Sequence, residues 1–521
     1  NAQVVAGVCR RVDGLPLAIE LVAARVRLLP PAALLDRLER RLPLLTGAPN
    51  DAPPRQQTLR GTIAWSYDLL NPATQRLFRA LGVFRDGWTL DALESVSGQT
   101  DAGSVVLDGL ETLIAHSLVR MHEQADGQPR YSMLETIAEF AREKLDASDE
   151  ALEARRRHVH HYLRLARKAE PHLKGAEQAR WMATLEQEFA NLLGALRWLR
   201  EQAKQGDAAA VVTSFQIADP IWWFLHIHGH MREGRQQFDT IMRLLQEQQA
   251  AVTALTGPAE WSRMRARTLF YVAALDTWQA DHHDEHAWRM MQESLAIYRR
   301  LDQRADIAST LMFLGYGAQR IGNFAEAEGY LMEGLTVARD AGDDGVAALL
   351  SQGLGMIGLR RGDYERGSGW VKESLALFTC LGDERGIAAS RATLGALLLR
   401  QDDLAQANAL LRESLTARHQ VGDKGGIAWC LEWLAEAAML GGSPQDSLLR
   451  AARLLGAATA LRAAIDSPID PVDMPEHERV MASVQAQLSD PAFVAAWEAG
   501  RAMALDDVVG YALATPSFIN R

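Results

Sequence analysis

Glu-x-Leu returns every forty residues through the second half of the chain, as Glu293-Ser294-Leu295, Glu333-Gly334-Leu335, Glu373-Ser374-Leu375 and Glu413-Ser414-Leu415. Small residues keep the same time at Ala287, Ala327, Gly367 and Ala407, and so do Leu314, Leu354, Leu394 and Leu434. A fixed period of this length means stacked supersecondary units, each too small to bury its apolar face alone. A chain built this way is a surface for holding something, and rarely a place for chemistry.

Each unit reads as two helices. Gly315, Gly355, Gly395 and Ala435 follow the periodic leucines and let the first helix approach its neighbour closely. Gly322-Asn323, Gly362-Asp363 and Asp402-Asp403 mark the turn between the two helices. Gly342-Asp343, Gly382-Asp383 and Gly422-Asp423 end the second helix with a glycine stop and supply a capping acid for the next. On these residues the array resembles the tetratricopeptide repeat, lengthened by about six residues over the usual period. This longer form is associated with bacterial STAND and LuxR-type regulators.

In that repeat family the first helix of each unit lines the concave side. The resemblance therefore puts Asp276, Tyr316, Gln319, Gln352, Met356, Trp429, Glu432 and Glu436 on an inner wall. Mixed polar, aromatic and acidic groups suit a protein or peptide partner, or a small polar inducer, better than a lipid. Arg320, Arg360 and Arg400 also recur at forty residues. They could grip an acidic partner, but the favoured expectation is that each answers the negative end of its own helix.

The first quarter differs. Gly14-Leu15-Pro16-Leu17 shapes a turn and a well-started helix. After a proline-rich linker at 48–54, periodicity predicts helices over 58–70, 73–81, 91–96 and 103–116. Strands are predicted at 117–122 and 130–133 around the Asp126-Gly127 turn. Helices followed by a hairpin make a winged helix. The Gly14–Leu17 motif, Ser66-Tyr67-Asp68-Leu69-Leu70 and Met133-Leu134-Glu135-Thr136-Ile137 resemble the end of an NB-ARC nucleotide-binding module and its winged helix in STAND ATPases.

By that resemblance Pro16 would lie against a bound adenine, and Leu134 stands where the family often has a phosphate-sensing histidine. Leucine offers no hydrogen bond to a phosphate. No Gly-x-x-x-x-Gly-Lys-Ser/Thr loop occurs, so this chain is expected to be no enzyme and to carry no cofactor. ATP or ADP would belong to a longer parent polypeptide, an expectation that suits a chain beginning inside a predicted helix at 2–12.

Bulk properties narrow the rest. A net charge of −11 argues against coating nucleic acid or anionic membrane. Between residues 58 and 146 eight Lys/Arg face thirteen Asp/Glu, so direct DNA binding by the winged helix is not expected. Cys9, Cys380 and Cys430 form neither a disulfide framework nor a zinc spacing, which suits a cytoplasmic compartment. No apolar run reads as long enough to span a bilayer. His226/His230 and His282/His286 have two-ligand helical spacing without a third ligand, and packed or surface histidine is the commoner role.

The expected fold is mostly α: a winged-helix domain with a small β-hairpin, then an α-solenoid of tetratricopeptide-like helical hairpins. The expected divisions are 1–47 (end of the ATPase module), 48–147 (winged helix), 148–255 (helical linker), 256–465 (repeat array) and 466–521 (helical cap). The expected function is the ligand- or protein-binding sensor portion of a STAND-type signalling ATPase or transcriptional regulator. A free-standing repeat scaffold and a winged-helix DNA-binding regulator are the rival readings.

Overall fold

The computed structural model describes residues 4–7, 59–98, 102–124, 127–173, 175, 177–279, 285–441, 444–465 and 467–514. Two compact units emerge: residues 1–167 with 185–202, and residues 168–184 with 203–521. Pro16 and its glycine-proline turn, Cys9 and His282 lie outside the described residues.

In the first unit, helices α1 (Leu59–Asp68), α2 (Pro72–Leu81), α3 (Leu90–Ser97) and α4 (Ala102–Ala115) lead into strands β1 (Arg120–Glu123) and β2 (Pro129–Ser132) and then helix α5 (Glu135–Asp146). Asn71 starts α2 by accepting the Thr74 N–H at 2.9 Å, and Pro72 takes a first-turn position that needs no N–H. Phe78, Leu81, Leu113 and Phe140 bury the meeting faces of α2, α4 and α5. Trp88 exchanges backbone hydrogen bonds with Tyr131 at 2.8 and 2.9 Å, which adds a one-residue third strand to the hairpin. The result is a winged helix.

The hairpin starts later than alternation predicts. Ser117 sits at φ 58°, and the Leu118 and Val119 N–H groups turn back to the Leu113 carbonyl at 2.9 and 3.4 Å. Those bonds finish α4, so pairing begins with Arg120 opposite Ser132. Two long helices, α6 (Ala151–Ala169) and α7 (Gln178–Lys204), complete the unit with most of the first and with residues 185–202 of the second. Tyr162 donates to Glu188 at 2.7 Å, and Asn191 accepts the Arg85 N–H at 2.7 Å while donating to the Gly87 carbonyl at 2.9 Å.

The second unit contains α8 (Ala208–Ile227), α9 (Met231–Glu247), α10 (Gln249–Thr256), α11 (Pro258–Gln279) and α12 (Glu285–Arg300). The forty-residue pairs follow: α13 (Arg304–Arg320) with α14 (Phe324–Ala341), α15 (Asp344–Arg361) with α16 (Tyr364–Leu381), α17 (Glu384–Leu399) with α18 (Leu404–Gln420), and α19 (Lys424–Gly441) with α20 (Pro444–Ala464). Helices α21 (Met474–Gln487), α22 (Asp490–Arg501) and α23 (Leu505–Leu513) cover the end, joining α19 and α20 in one apolar cluster.

The repeat residues do what their spacing implies. A Cβ on Gly315, Gly355 or Gly395 would stand 2.5, 2.2 or 2.9 Å from Leu331, Val371 or Leu411, so glycine lets each of these first helices seat closely on its second helix. Asp343, Asp383, Asp403 and Asp423 each accept a backbone N–H three residues on, at 2.9–3.1 Å. Asp402 replaces the turn glycine of earlier units and takes the same left-handed conformation, φ 62°. In the Glu-Ser-Leu beat, the buried Ser294 and Ser414 hydroxyls donate to the Ala266 and Ala388 carbonyls at 2.8 and 2.7 Å. The exposed Glu333 and the half-buried Glu373 meet Arg299 and Arg339 of the preceding second helix.

The expectation about apolar runs also fails. Helix α8, Ala208–Ile227, is long and apolar enough to cross a bilayer. Within the unit it is a core helix, with Ile217, Ile221 and Phe224 buried and Asp219 accepting from Tyr271 at 2.5 Å and Arg267 at 2.6 Å. Its apolar run is continuous because neighbouring helices surround it.

Candidate functional site

Consecutive first helices pack on one another, α13 on α15, α15 on α17 and α17 on α19, and form a wall. Side chains of one repeat brace the backbone of the next. Tyr316 donates to the Leu349 carbonyl at 2.7 Å, and its ring lies where a Cβ on Gly353 would come within 2.9 Å. Gln319 donates to the Gly353 carbonyl at 2.9 Å. Burial raises the Tyr316 hydroxyl above the usual tyrosine range.

One repeat further, the Gln352 amide donates to Thr393 Oγ1 at 2.8 Å, and its oxygen accepts from Ser390 at 2.9 Å. Thr393 lies 3.5 Å from the Met356 sulfur. Met356 and the half-buried Trp429 and Trp433 pack against a single apolar cluster around Leu394 and Leu397. The two patches expected from sequence therefore meet. Glu432 is paired with Arg462 at 2.6 and 2.8 Å, and the buried Glu436 with Arg400 at 2.7 and 3.1 Å and Arg479 at 2.7 Å. Asp276 stands apart, ion-paired with Arg235 of α9.

The wall thus offers rings and a thioether, since the amides and carboxylates expected to face a ligand are bonded within the chain. Arg400 lies over the Trp433 ring, 4.8 Å from its centre. Sequence reasoning missed Trp433, although it stands one helical turn beyond Trp429. It also missed the partners of the recurring arginines. Those guanidinium groups reach Asp470 and Asp473 in the segment between α20 and α21 and Glu476 in the first turn of α21, which corrects the expectation that each serves only its own helix end. No spacing rule links residues so far apart in the chain.

Elsewhere in this unit Trp222 stacks on Tyr271 and Trp223 lies beneath Arg385 of α17, 5.9 Å from guanidinium to ring centre. Burial, followed by the Arg385 charge, lowers the His226 pKa to about 3, so this ring stays neutral. Among the described residues no three His, Cys, Asp or Glu side chains cluster as a metal site.

On the winged helix, α4 occupies the position of a recognition helix and carries no Lys or Arg. Its outward residues include Val105, Leu107 and Ile114, alongside exposed Asp108 and Glu111, and Met121 projects from the wing. Arg130, at the base of the wing, is committed to Glu188 and to the Gln187 carbonyl at 2.8 Å. Leu134 is half-buried at the start of α5, where its carbonyl accepts the Ile137 and Ala138 N–H groups at 2.9 Å.

The winged helix has a counterpart among known families. Residues 70–146 match the winged helix-turn-helix domain family. Relatives from Mycobacterium tuberculosis and Mycobacterium bovis, whose names provisionally make them HTH-type transcriptional regulators, are 35% identical over 347 residues. That match takes in 66% of this chain and 37% of theirs, so the chain spans little more than a third of these relatives. An uncharacterized M. tuberculosis protein is 37% identical over 153 residues, 29% of this chain and 39% of its own.

Among solved structures, a STAND protein with a tetratricopeptide-repeat sensor from Pyrococcus horikoshii aligns over 91% of this chain and 72% of its own, at 15% identity and a TM-score of 0.42. The apo quorum sensor NprR of Bacillus thuringiensis aligns over 68% of this chain and 93% of its own, at 13% identity and a TM-score of 0.40. The chain is a winged helix-turn-helix domain followed by tetratricopeptide-like repeats, and its similar sequences carry the names of transcriptional regulators.

Proposed function

We propose that this chain is the sensor and relay portion of a bacterial transcriptional regulator of the STAND type, and that the wall of first helices receives a peptide or an extended protein segment. One observation carries the reading. Cross-bracing by Tyr316, Gln319 and Gln352 fixes the wall in advance, while Met356, Trp429 and Trp433, which make no such brace, supply the groups to recognise a partner. Rigid aromatic and guanidinium groups are the usual anchors of such contacts.

In this reading the winged helix passes the binding state to a protein surface. The α4 face is apolar and acidic, which suits a protein neighbour and repels a phosphate backbone. Pro16 and Leu134 would face ATP or ADP held by a nucleotide module of the parent polypeptide, in a cytoplasmic setting that suits the free thiols of Cys380 and Cys430. The test is to pan a displayed peptide library on the chain. Selected peptides should lose at least tenfold in affinity against Tyr316→Ala or Trp429→Ala; peptides indifferent to both would end the assignment. A gel shift of random-sequence duplex that disappears between 50 and 200 mM salt would favour the DNA-binding reading instead.

A further inference from the structure

The forty-residue beat places an arginine at the end of three successive first helices: Arg320, Arg360 and Arg400. The repeat geometry alone makes this row, which borders the wall where Arg400 covers Trp433. A segment from the far end of the same chain lies along it. Arg320 donates to Asp470 at 2.7 Å, Arg360 to Asp470 at 3.2 Å and to Asp473 at 2.9 and 2.6 Å, and Arg400 to Glu476. The carboxylates are three residues apart and meet the arginines in order, one repeat after another.

The segment is unlike the rest of the cap. It runs without helix from Ser467 to Asp473, carries Pro468, Pro471 and Pro475, and among its described residues between 465 and 479 none is fully buried. The first buried residue after it is Val480. Its grip on the array is therefore chiefly charge, whereas α22 and α23 are held by Phe493, Val508 and Val509. The arginines are deeper than their partners, with side chains 10%, 8% and 17% exposed, while Asp470, Asp473 and Glu476 are 25%, 32% and 42% exposed. Arg400 keeps the buried Glu436, but Arg320 and Arg360 part from Asp470 and Asp473 with the segment, so whatever displaces it has to bring carboxylates of its own.

We propose that residues 467–479 form an internal strap occupying a recognition row for acidic peptide segments, and that a partner binds by displacing it. The inference rests on the reading of the wall as a peptide site and names the chemistry of its occupant. An acidic partner segment would exchange with the strap through Arg320, Arg360 and Arg400, and neutralising the strap's carboxylates would favour the exchange.

The experiment uses the full chain, with Asp470→Asn, Asp473→Asn and Glu476→Gln combined, and Asp473→Asn alone should the triple variant fail to fold. Amide hydrogen exchange reads the strap. A labelled synthetic peptide of sequence 467–479 reads the row by fluorescence anisotropy. The expected result is a strap protected in the unmodified chain at low salt, at least tenfold faster exchange in the variant, and peptide binding at least tenfold tighter to the variant than to the unmodified chain. Adding Arg360→Gln to the variant should abolish that binding.

Unchanged protection of the strap, or a variant that exposes the strap yet binds no peptide, would overturn the proposal and leave a plain structural cap. Library peptides that depend on Tyr316 and Trp429 but do not compete with the 467–479 peptide would overturn the strap while leaving the wall assignment standing. Tight peptide binding through the arginines, with no library peptide sensitive to Tyr316 or Trp429, would keep the strap and sink the aromatic wall.

Discussion

Gly358→Ala probes the packing on which the wall depends. Gly358 lies inside α15, and an added Cβ would stand 2.6 Å from the Gly367 Cα and 2.9 Å from the Asp363 carbonyl oxygen. These are backbone atoms, so no rotamer change absorbs the methyl group. The two helices must part by roughly 1 Å to restore an ordinary carbon contact of about 3.5–4.0 Å. Overpacking of this kind costs about 1–3 kcal/mol, while alanine in place of glycine inside a helix returns about 1 kcal/mol. Contact with backbone puts Gly358→Ala toward the upper end, a net loss of about 1–2 kcal/mol.

Gly369, on the exposed side of the partner helix α16, has nothing within 4 Å of such a Cβ. Gly369→Ala therefore keeps the helix gain of up to about 1 kcal/mol with no packing cost. The same chemical change, eleven positions along, is expected to have the opposite sign. Urea unfolding followed by helical circular dichroism measures it, read as the shift of the array's midpoint because a long repeat protein need not unfold in one step. Equal midpoints for the two variants would refute the argument that glycine is held at 358 by contact and at 369 by nothing.

Burial lowers the pKa of His158 to about 3 and of His161 to about 4, with His161 and Arg164 respectively adding to the effect. The unfolded chain takes up these protons first, so stability of the first unit is full above about pH 6.5 and falls toward pH 4, by up to about 2.7 kcal/mol per pH unit where both contribute. Urea midpoints at pH 8 and pH 5 should differ, and His158→Gln with His161→Gln should flatten the dependence. Asp219→Ala strips Tyr271 and Arg267 of a buried carboxylate and should cost about 3–5 kcal/mol, read from thermal unfolding of the second unit. Gln352→Leu leaves the Thr393 and Ser390 hydroxyls short of a partner and should cost about 1–3 kcal/mol in urea, with faster amide exchange in α17 as its local sign.

Local chemistry made much of the fold readable. Glycine stops and capping acids act within a few residues, so Gly342-Asp343, Gly382-Asp383 and Gly422-Asp423 announced helix ends that the structure places beside them. Asp402 was legible as a turn for the same reason, since its carboxylate tolerates the left-handed conformation that glycine takes in the other units. The hairpin was misplaced by three residues because alternation in Ser117–Val119 could not reveal that their N–H groups return to Ile114 and Leu113. The wall was harder to read. Periodicity put Gln352 and Glu436 on the inner face, but no sequence rule said that their polar atoms would be bonded to Thr393, Ser390, Arg400 and Arg479. Arg320 and Asp470 are separated by 150 residues, a pairing that only the superhelical path creates.

The bracing and the strap bear on one another. A wall whose helices are tied by Tyr316, Gln319 and Gln352 has little freedom left to lose, so a segment that lies on it gives up mainly its own. For an outside peptide that cost is paired with the loss of overall motion on association. The strap avoids the second cost because α20 and α21 hold its two ends. Modest ion pairs therefore suffice to keep the strap seated, even though it buries no residue fully. An outside segment must make up the tether's advantage with contacts the strap lacks. Trp429, Trp433 and Met356 stand beside the arginine row to supply them, so the competitor that fits best is acidic where it meets the arginines and apolar where it meets the rings.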